Sequence, residues 1–453
     1  MSDPTSSPSP DKATELQSKL YQAAKRDPDR RFHALYDKLY LGYILQEAWR
    51  QVRQNHGAAG VDGVTLEQIE AQGVEPFLAE IAQALRDKTY RPQPVRRVEI
   101  PKGDGKTRRL GIPTLRDRVI QAAAKLVLEP IFEADFEGTP SFGFRPGLGQ
   151  LDALAMVETN AQQGFRWVVD GDIEQFFDTL DHQQLMAALR RRISDGELLR
   201  LIYRWLKAGV LCDEEYHDTD QGSPQGGVLS PLLANVYLHG FDRAYQQQKS
   251  FLGRLVRYAD DFVIQCGTRE HAERALAWAR EQLRARGLRL HPEKTRVVGD
   301  HQEGYDFLGF HHRRVRDRRS GRESRGVRRW PSRKTCRRFR EQIRAKVGPP
   351  GRLRAEWSER LVDLRRYLQG WMSYYRHGQA YEVFRQLDRF TLERVARNYA
   401  RSQPTGRKRR PRRWTWHLVR LREWGQVPSL LGTLRAGQGR AYRGQVNVRW
   451  RAG

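Results

Sequence analysis

Two apolar runs that lead into aspartates constrain this chain more than any other feature of its sequence. Trp167-Val168-Val169 passes directly into Asp170-Gly171-Asp172, and Leu255-Val256-Arg257-Tyr258 is separated from Phe262-Val263-Ile264 only by Ala259, Asp260 and Asp261. Short runs rich in β-branched and aromatic residues read as buried strands, so the second stretch is expected to be a hairpin with two aspartates at its tip. If these strands are neighbours, Asp172, Asp260 and Asp261 converge. Two like charges 4 Å apart repel by about 4 kcal/mol at an effective dielectric of 20, so such a cluster shifts its pKa values or holds a cation. Magnesium suits it, being a hard ion that fills its remaining positions with water and substrate phosphate. Two such ions would activate a 3′-hydroxyl and stabilise a leaving pyrophosphate. Either motif alone reads as solvated surface acids; the two together, each beside an apolar strand, point to metal-assisted nucleotidyl transfer.

That chemistry needs a place for a nucleoside triphosphate. Residues 95–101 alternate as a strand, Gly103-Asp104-Gly105 signals a turn, and 108–112 form a second strand. Lys102 and Arg108 on this hairpin can clamp β- and γ-phosphates by charge-assisted bonds, although exposed hairpin basics are usually only solvated. The stretch Gln221-Gly222-Ser223-Pro224-Gln225-Gly226-Gly227 is a Gly-rich loop before a helix. Its small residues, Gly226 among them, allow close backbone approach, and the Gln225 amide can touch a nucleotide. Phe177, five residues past Asp172, is placed to stack under the incoming sugar and exclude a 2′-hydroxyl, with ordinary core packing as its other reading.

The remaining pattern alternates helices and short strands, an α+β class. Residues 1–30 read as a polar leader, helical over 12–25. Helical patterning follows over 32–55, then a small-residue turn at 57–63 and a helix through Phe77, Ile81 and Leu85. Asp117 is expected to cap a long helix carrying Ile120, Ala124, Val127, Leu128 and Ile131; Asp181, Ser230 and Thr268 are expected to cap three more. Residues 291–298 and 307–310 read as extended. From about Trp330 the pattern is helical and basic, resembling a bundle with a charged exterior, and 405–413 is a basic linker or arm. No internal repeat is present.

The charge is unevenly spread. Of 81 Lys+Arg and 54 Asp+Glu in 453 residues, 311–453 holds 40 and 10, and the first 310 hold 41 and 44. A surface that neutralises phosphates explains this asymmetry; aromatic and aliphatic residues at folding density favour a folded surface over a basic tail. Cys212, Cys266 and Cys336 lie too far apart for a disulfide framework or a Cys-x-x-Cys zinc ribbon. A reducing, cytoplasmic setting is expected. The sequence has no apolar run of about 18 residues and no secretory h-region, so no membrane partner is expected.

These blocks, in this order, resemble the reverse transcriptases encoded by bacterial group II introns, the intron maturases, over almost the whole chain. Residues 57–63 resemble the family's N-terminal extension motif, and 100–113 its fingers motif. Ser141-Phe142-Gly143-Phe144-Arg145-Pro146 resembles the next block, and Asp172 with Phe176-Phe177 the first catalytic block. Ser223-Pro224-Gln225-Gly226-Gly227 and Tyr258-Ala259-Asp260-Asp261 resemble the nucleotide and second catalytic blocks; Lys294-Thr295 and Phe307-Leu308-Gly309-Phe310 resemble the last two.

The resemblance implies a right-hand polymerase, with fingers and palm (91–310) after an N-terminal extension (31–90), a helical thumb or domain X (311–400) and a basic DNA-binding-like segment (401–453). It implies Asp172, Asp260 and Asp261 as catalytic metal ligands for two Mg²⁺ ions, with Mn²⁺ as a substitute. Lys102, Arg108, Phe177, Gln225 and Gly226 would bind nucleotide, and Tyr258 and Lys294 primer and template. Its partners would be an RNA template, intron RNA in particular, a DNA or RNA primer, target DNA and dNTPs. Trp371, Tyr374 and Tyr375 belong to the segment that looks like the thumb, as base-stacking candidates or as core. The Cys-rich HNH endonuclease of some members has no counterpart in these residues, so primers are expected from nicks or fork DNA. Two other classes share the sequence signals: a domesticated, intron-free reverse transcriptase, for example in phage defence, and an RNA-binding splicing factor without polymerase activity. Retention of all three aspartates argues against the last.

Overall fold

The computed structural model describes residues 12–101, 107–212, 215–217, 222, 226–316, 321–348, 357–402 and 430. The N-terminal part is helical: α1 (Lys12–Arg26), a 3-10 turn (Tyr36–Tyr40), α2 (Gly42–Gln54), α3 (Leu66–Gln72) and α4 (Val74–Arg86). The polar composition of α1 hides one apolar face. Ala13, Leu20 and Ala24 are buried, and Gln17 donates to the Leu126 carbonyl at 3.1 Å. The segment that reads as a leader is therefore packed against the helix containing Leu126. Helix α3, missed from the sequence, starts at a capping box in which Thr65 and Gln68 satisfy each other's backbone donors.

Strands β1 (Val95–Pro101) and β2 (Thr107–Ile112) form the expected hairpin, with Pro101 opposite Thr107. In the long helix α5 (Leu115–Phe136), Thr114 is the N-cap instead of Asp117. Asp117 sits in the first turn, where it accepts from the Tyr90 hydroxyl at 2.5 Å and the Gln93 amide at 3.3 Å. The five expected apolar positions of α5 are buried, as are Ala122 and Ala123 between them: the helix is enclosed on all sides, so its single stripe understates its burial.

Next come α6 (Gln150–Gln162), β3 (Trp167–Asp172), the single turn α7 (Phe176–Thr179), α8 (His182–Arg190), α9 (Gly196–Leu206), β4 (Val210–Cys212) and β5 (Glu215–His217). They are followed by α10 (Ser230–Gln248), β6 (Gly253–Tyr258), β7 (Asp261–Cys266), α11 (Arg269–Arg284) and β8 (Arg296–Gly299). Asp181 and Thr268 cap α8 and α11 as expected, whereas Leu229 precedes α10 and Ser230 is its first residue. A sheet in the order β2-β1-β4-β5 lies apart from a central sheet in the order β6-β7-β3-β8. Alternation along β3 sends Val169 into the main core with Ile264 and Phe262, and Val168 into a second cluster with Val157, Val256 and Val263. With both faces covered, the exposed chemistry of this sheet is confined to its strand ends.

A three-stranded sheet, β9 (Tyr305–Phe307), β10 (Phe310–Arg313) and β11 (Arg328–Pro331), follows, then α12 (Arg333–Val347), α13 (Trp357–Tyr375) and α14 (Tyr381–Ser402). Residues 307–310 are not one extended run: Leu308 (φ 49°) and Gly309 (φ 79°) turn the chain between β9 and β10. A Cβ on Gly309 would stand 2.6 Å from the Tyr375 hydroxyl, so the turn lies where α13 leans in. Of 291–298, only the end from Arg296 is strand, because Thr295 turns back to bond the His291 carbonyl. Phe339, Ile343, Leu364, Leu368, Phe384 and Leu387 form the bundle core. The basic stretch 405–413 lies outside the described residues. No helix among the described residues is long and apolar enough to cross a membrane.

Candidate active site

Strands β3 and β7 pair antiparallel with Asp172 directly opposite Asp261, a spacing of roughly 5 Å between Cα atoms. Tyr258 pairs with Asp261 across the hairpin, leaving Ala259 and Asp260 as its two-residue tip. The register requires Gly171: a Cβ there would fall 2.3 Å from the Phe262 ring. Asp261 is exposed at the start of β7, yet its carboxyl loses part of its water to the surrounding protein. That loss of water, followed by the charges of Asp260 and Asp172, pushes its carboxyl up to about 7, against the pull of Lys294 and Lys334. Two residues before Asp172, on the same face of β3, Asp170 is also pushed up to about 7; burial is the main cause, with Arg296 opposing it and Asp306 and Asp261 adding to it.

Lys294 Nζ sits 2.9 Å from Asp172 Oδ2. Its loop is held by the His291 amide donating to the Asp172 carbonyl at 2.8 Å and the Asp172 amide donating to Thr295 Oγ1 at 3.4 Å. Among the described residues no three His, Cys, Asp or Glu side chains are set as a metal cage; here Lys294 supplies the positive charge beside Asp172. The donor set nonetheless fits a hard divalent ion, since every group is a carboxylate oxygen and Asp260 and Asp172 add to the rise that lost water gives Asp261.

Of the nucleotide candidates, Gly226 and Phe177, side chain included, lie among the described residues. Gly222 (φ 88°) packs on the Phe177 carbonyl, where a Cβ would be 2.8 Å away, and Gly226 (φ 118°) packs on the Gly111 carbonyl of β2 at 2.6 Å. The Gly-rich loop thus bridges α7 and the basic hairpin through two glycines whose conformation and space exclude other residues. Phe177 is half-buried and meets Phe176 edge-on at 5.2 Å. Lys102, Gln225 and the side chain of Arg108 lie outside the described residues; the backbone of Arg108 pairs with Ile100.

Several residues around the site were assigned no role in it from the sequence, although Gly143 and Phe144 belong to the 141–146 block. Arg257, Asn235 and Asp242 form a buried polar cluster behind the tip. Gly143 lets the 141–146 block press on the tip, for a Cβ there would meet the Ala259 nitrogen at 2.4 Å. Phe144 is 45% exposed, has a left-handed backbone (φ 57°) and lies 6.5 Å from the Tyr258 ring. Trp371, Tyr374 and Tyr375 turn out to be packing residues. Trp371 lies 4.7 Å from Phe339 and 5.2 Å from Phe384. Tyr374 and Tyr375 cover Phe310 at 5.3 and 4.9 Å, and Tyr374 donates to the Leu308 carbonyl at 2.8 Å.

Comparison with known proteins identifies the family of the chain. Residues 100–312 match the reverse transcriptase (RNA-dependent DNA polymerase) family, and 336–418 match the group II intron maturase-specific domain. The protein YkfC of Escherichia coli K12 is 37% identical over 350 residues, covering 67% of this chain and 89% of that protein. The group II intron-encoded protein LtrA of Lactococcus lactis subsp. cremoris is 33% identical over 370 residues, covering 67% of this chain but 60% of LtrA. A solved partial Cas6-RT-Cas1–Cas2 complex is 26% identical, with 55% of this chain and 41% of that one covered at a TM-score of 0.35, too loose a likeness to carry an argument. Residues 100–312 thus have a reverse transcriptase palm and fingers fold, and the chain belongs to the group II intron-type reverse transcriptases and maturases, a family of RNA-directed DNA polymerases.

Proposed function

We propose that this chain copies RNA into cDNA by two-metal nucleotidyl transfer and binds its intron RNA to assist splicing and retromobility. The carrying observation is the register that sets Asp172 against Asp261 at the end of a sheet buried on both faces. Asp172, Asp260 and Asp261 would hold Mg²⁺, with Mn²⁺ as a substitute. Divalent ions bound there supply a lowered pKa for the primer 3′-hydroxyl and charge neutralisation for the departing pyrophosphate. The 3′-oxygen then bonds to the α-phosphorus of the dNTP as the bond to the pyrophosphate oxygen breaks.

Around that centre, Lys102 and Arg108 would clamp the β- and γ-phosphates, Gln225 and Gly226 would line the base, and Phe177 would lie beneath the sugar. Tyr258 and Lys294 would contact primer and template, with the exposed ring of Phe144 extending the aromatic surface beside Tyr258. Residues 311–400 act as thumb and RNA-binding domain X in this reading, and 401–453 as a DNA-binding segment. The concentration of positive charge after residue 310 supports it. The test is extension of a primed RNA template with dNTPs and Mg²⁺, with rNTPs as control. Extension with dNTPs alone is the expected result; no extension, or equal use of rNTPs, would overturn the reading.

A further inference from the structure

Behind the hairpin tip, three buried polar side chains are wired to one peptide group. Arg257 and Asp242 are each 1% exposed and Asn235 is fully buried. The Arg257 guanidinium grips Asp242 with a two-point fork, Nε to Oδ1 at 2.8 Å and Nη2 to Oδ2 at 2.5 Å. Its Nη1 donates to Asn235 Oδ1 at 3.1 Å and to the Ala259 carbonyl at 2.8 Å. Asn235 and Asp242 stand two turns apart on one face of α10, and Asn235 Nδ2 donates onward to the Gly143 carbonyl at 2.8 Å. The Arg257 backbone is fixed as well, bonding to the Pro140 carbonyl at 2.8 Å and to the Phe142 amide at 2.9 Å.

The Ala259 carbonyl belongs to the peptide that joins Ala259 to Asp260, and Ala259 is left-handed (φ 58°), a region that L residues avoid. Stability alone does not account for the cluster, because an apolar pair of similar volume serves a core as well as a buried ion pair does. What apolar side chains cannot supply is a fixed donor at that carbonyl.

We infer that Arg257, held by Asp242 and Asn235 of α10, is a positioning residue: it fixes the Ala259–Asp260 peptide plane and thereby sets the spacing of Asp260 and Asp261 from Asp172. This inference rests on the proposed role of the three aspartates as the metal-holding set. Arg257 touches no reacting atom. Its loss moves ion binding and the chemical step while leaving nucleotide and RNA contacts in place.

The test uses the full chain with Arg257→Met/Asp242→Leu, which removes both charges together, and Arg257→Lys, which keeps the charge and loses the fork. Thermal midpoint, Mn²⁺ binding by paramagnetic resonance, and kcat and KM for dNTP on a primed RNA template are measured. The double variant is expected to keep its thermal midpoint and KM, bind Mn²⁺ more weakly, and lose about 100-fold in kcat, the scale of a misplacement of about 1 Å. Arg257→Lys is expected to fall between it and the parent, and it carries the same test if the double variant does not fold. A folded variant with parental Mn²⁺ affinity and kcat would overturn the inference and leave the cluster structural. A parent chain that takes up no Mn²⁺, or an Asp261→Asn variant that extends primers at the parental rate, would instead bring down the active-site reading and this inference with it.

Discussion

Asp261 illustrates how much of the proposed chemistry rests on one side chain. Its carboxyl is raised to about 7 by lost water and by Asp260 and Asp172, so near neutrality a proton and a divalent ion compete for the same oxygens. The Mg²⁺ concentration needed for half-maximal extension is therefore expected to rise as pH is lowered from 8 to 6.5. A Mg²⁺ midpoint that stays constant over that range would contradict this competition. Replacing Asp260 or Asp261 with Ala is expected to abolish primer extension while RNA binding, measured by filter retention, stays within a few-fold of the parent. Both acids were legible in the sequence, because apolar runs flank them. Lys334, which also acts on Asp261, was not: nothing local to a basic helix start distinguishes one lysine facing an acid from its solvated neighbours.

Among elements, the hairpin β6–β7 and strand β3 were readable from short continuous apolar runs rich in β-branched and aromatic residues, and their register is set once both are in one sheet. The support behind them was not readable. Gly143 stands in the 141–146 block, but nothing local to it shows its contact: a methyl group there would collide with the Ala259 backbone at 2.4 Å, where no flexible side chain can give way. Gly143→Ala is accordingly expected to displace the hairpin tip and reduce extension by about 100-fold, with RNA affinity retained; wild-type extension by that variant would show that the tip tolerates movement. Capping was read half correctly for the same reason. Asp181 and Thr268 cap their helices, but Asp117 is drawn inward by Tyr90 and Gln93, partners outside its own helix.

At the scale of the whole molecule, two long-range properties are testable. Arg333 and Arg337 lie exposed on the basic helix α12, and under the proposed function the thumb would bind RNA through such charges. Replacing both with Gln is expected to weaken RNA binding and to flatten the slope of log K against log salt by about 1 for each lost phosphate contact; an unchanged slope would remove α12 from the interface. Stability should also depend on acid. His312, enclosed and stacked 5.1 Å from Tyr305, is held down to about 3, first by burial and then by the Arg329 charge. The unfolded chain therefore binds the extra proton between about pH 6.5 and 3. The stability this group contributes is complete above pH 6.5 and is lost as pH falls through that window, by up to about 1.4 kcal/mol per pH unit. Asp170, raised to about 7, acts in the opposite sense: its contribution is present at low pH and lost as pH rises toward 7. A His312→Phe variant should show a shallower fall in thermal midpoint between pH 6.5 and 5 than the parent, and an equal fall would assign the acid sensitivity to other groups.

The amino-acid sequence by itself determined which acids are the candidates for the chemistry, which strands and helices surround them and where the positive charge lies, because these depend on residue type and on periodicities shorter than an element. The tertiary structure alone decided that Asp172 faces Asp261 in register, that Trp371, Tyr374 and Tyr375 pack the bundle and its junction with Phe310, and that Arg257 reaches α10. Those outcomes depend on contacts between residues far apart in the chain, where burial and hydrogen-bond partners, rather than local propensity, set the energy.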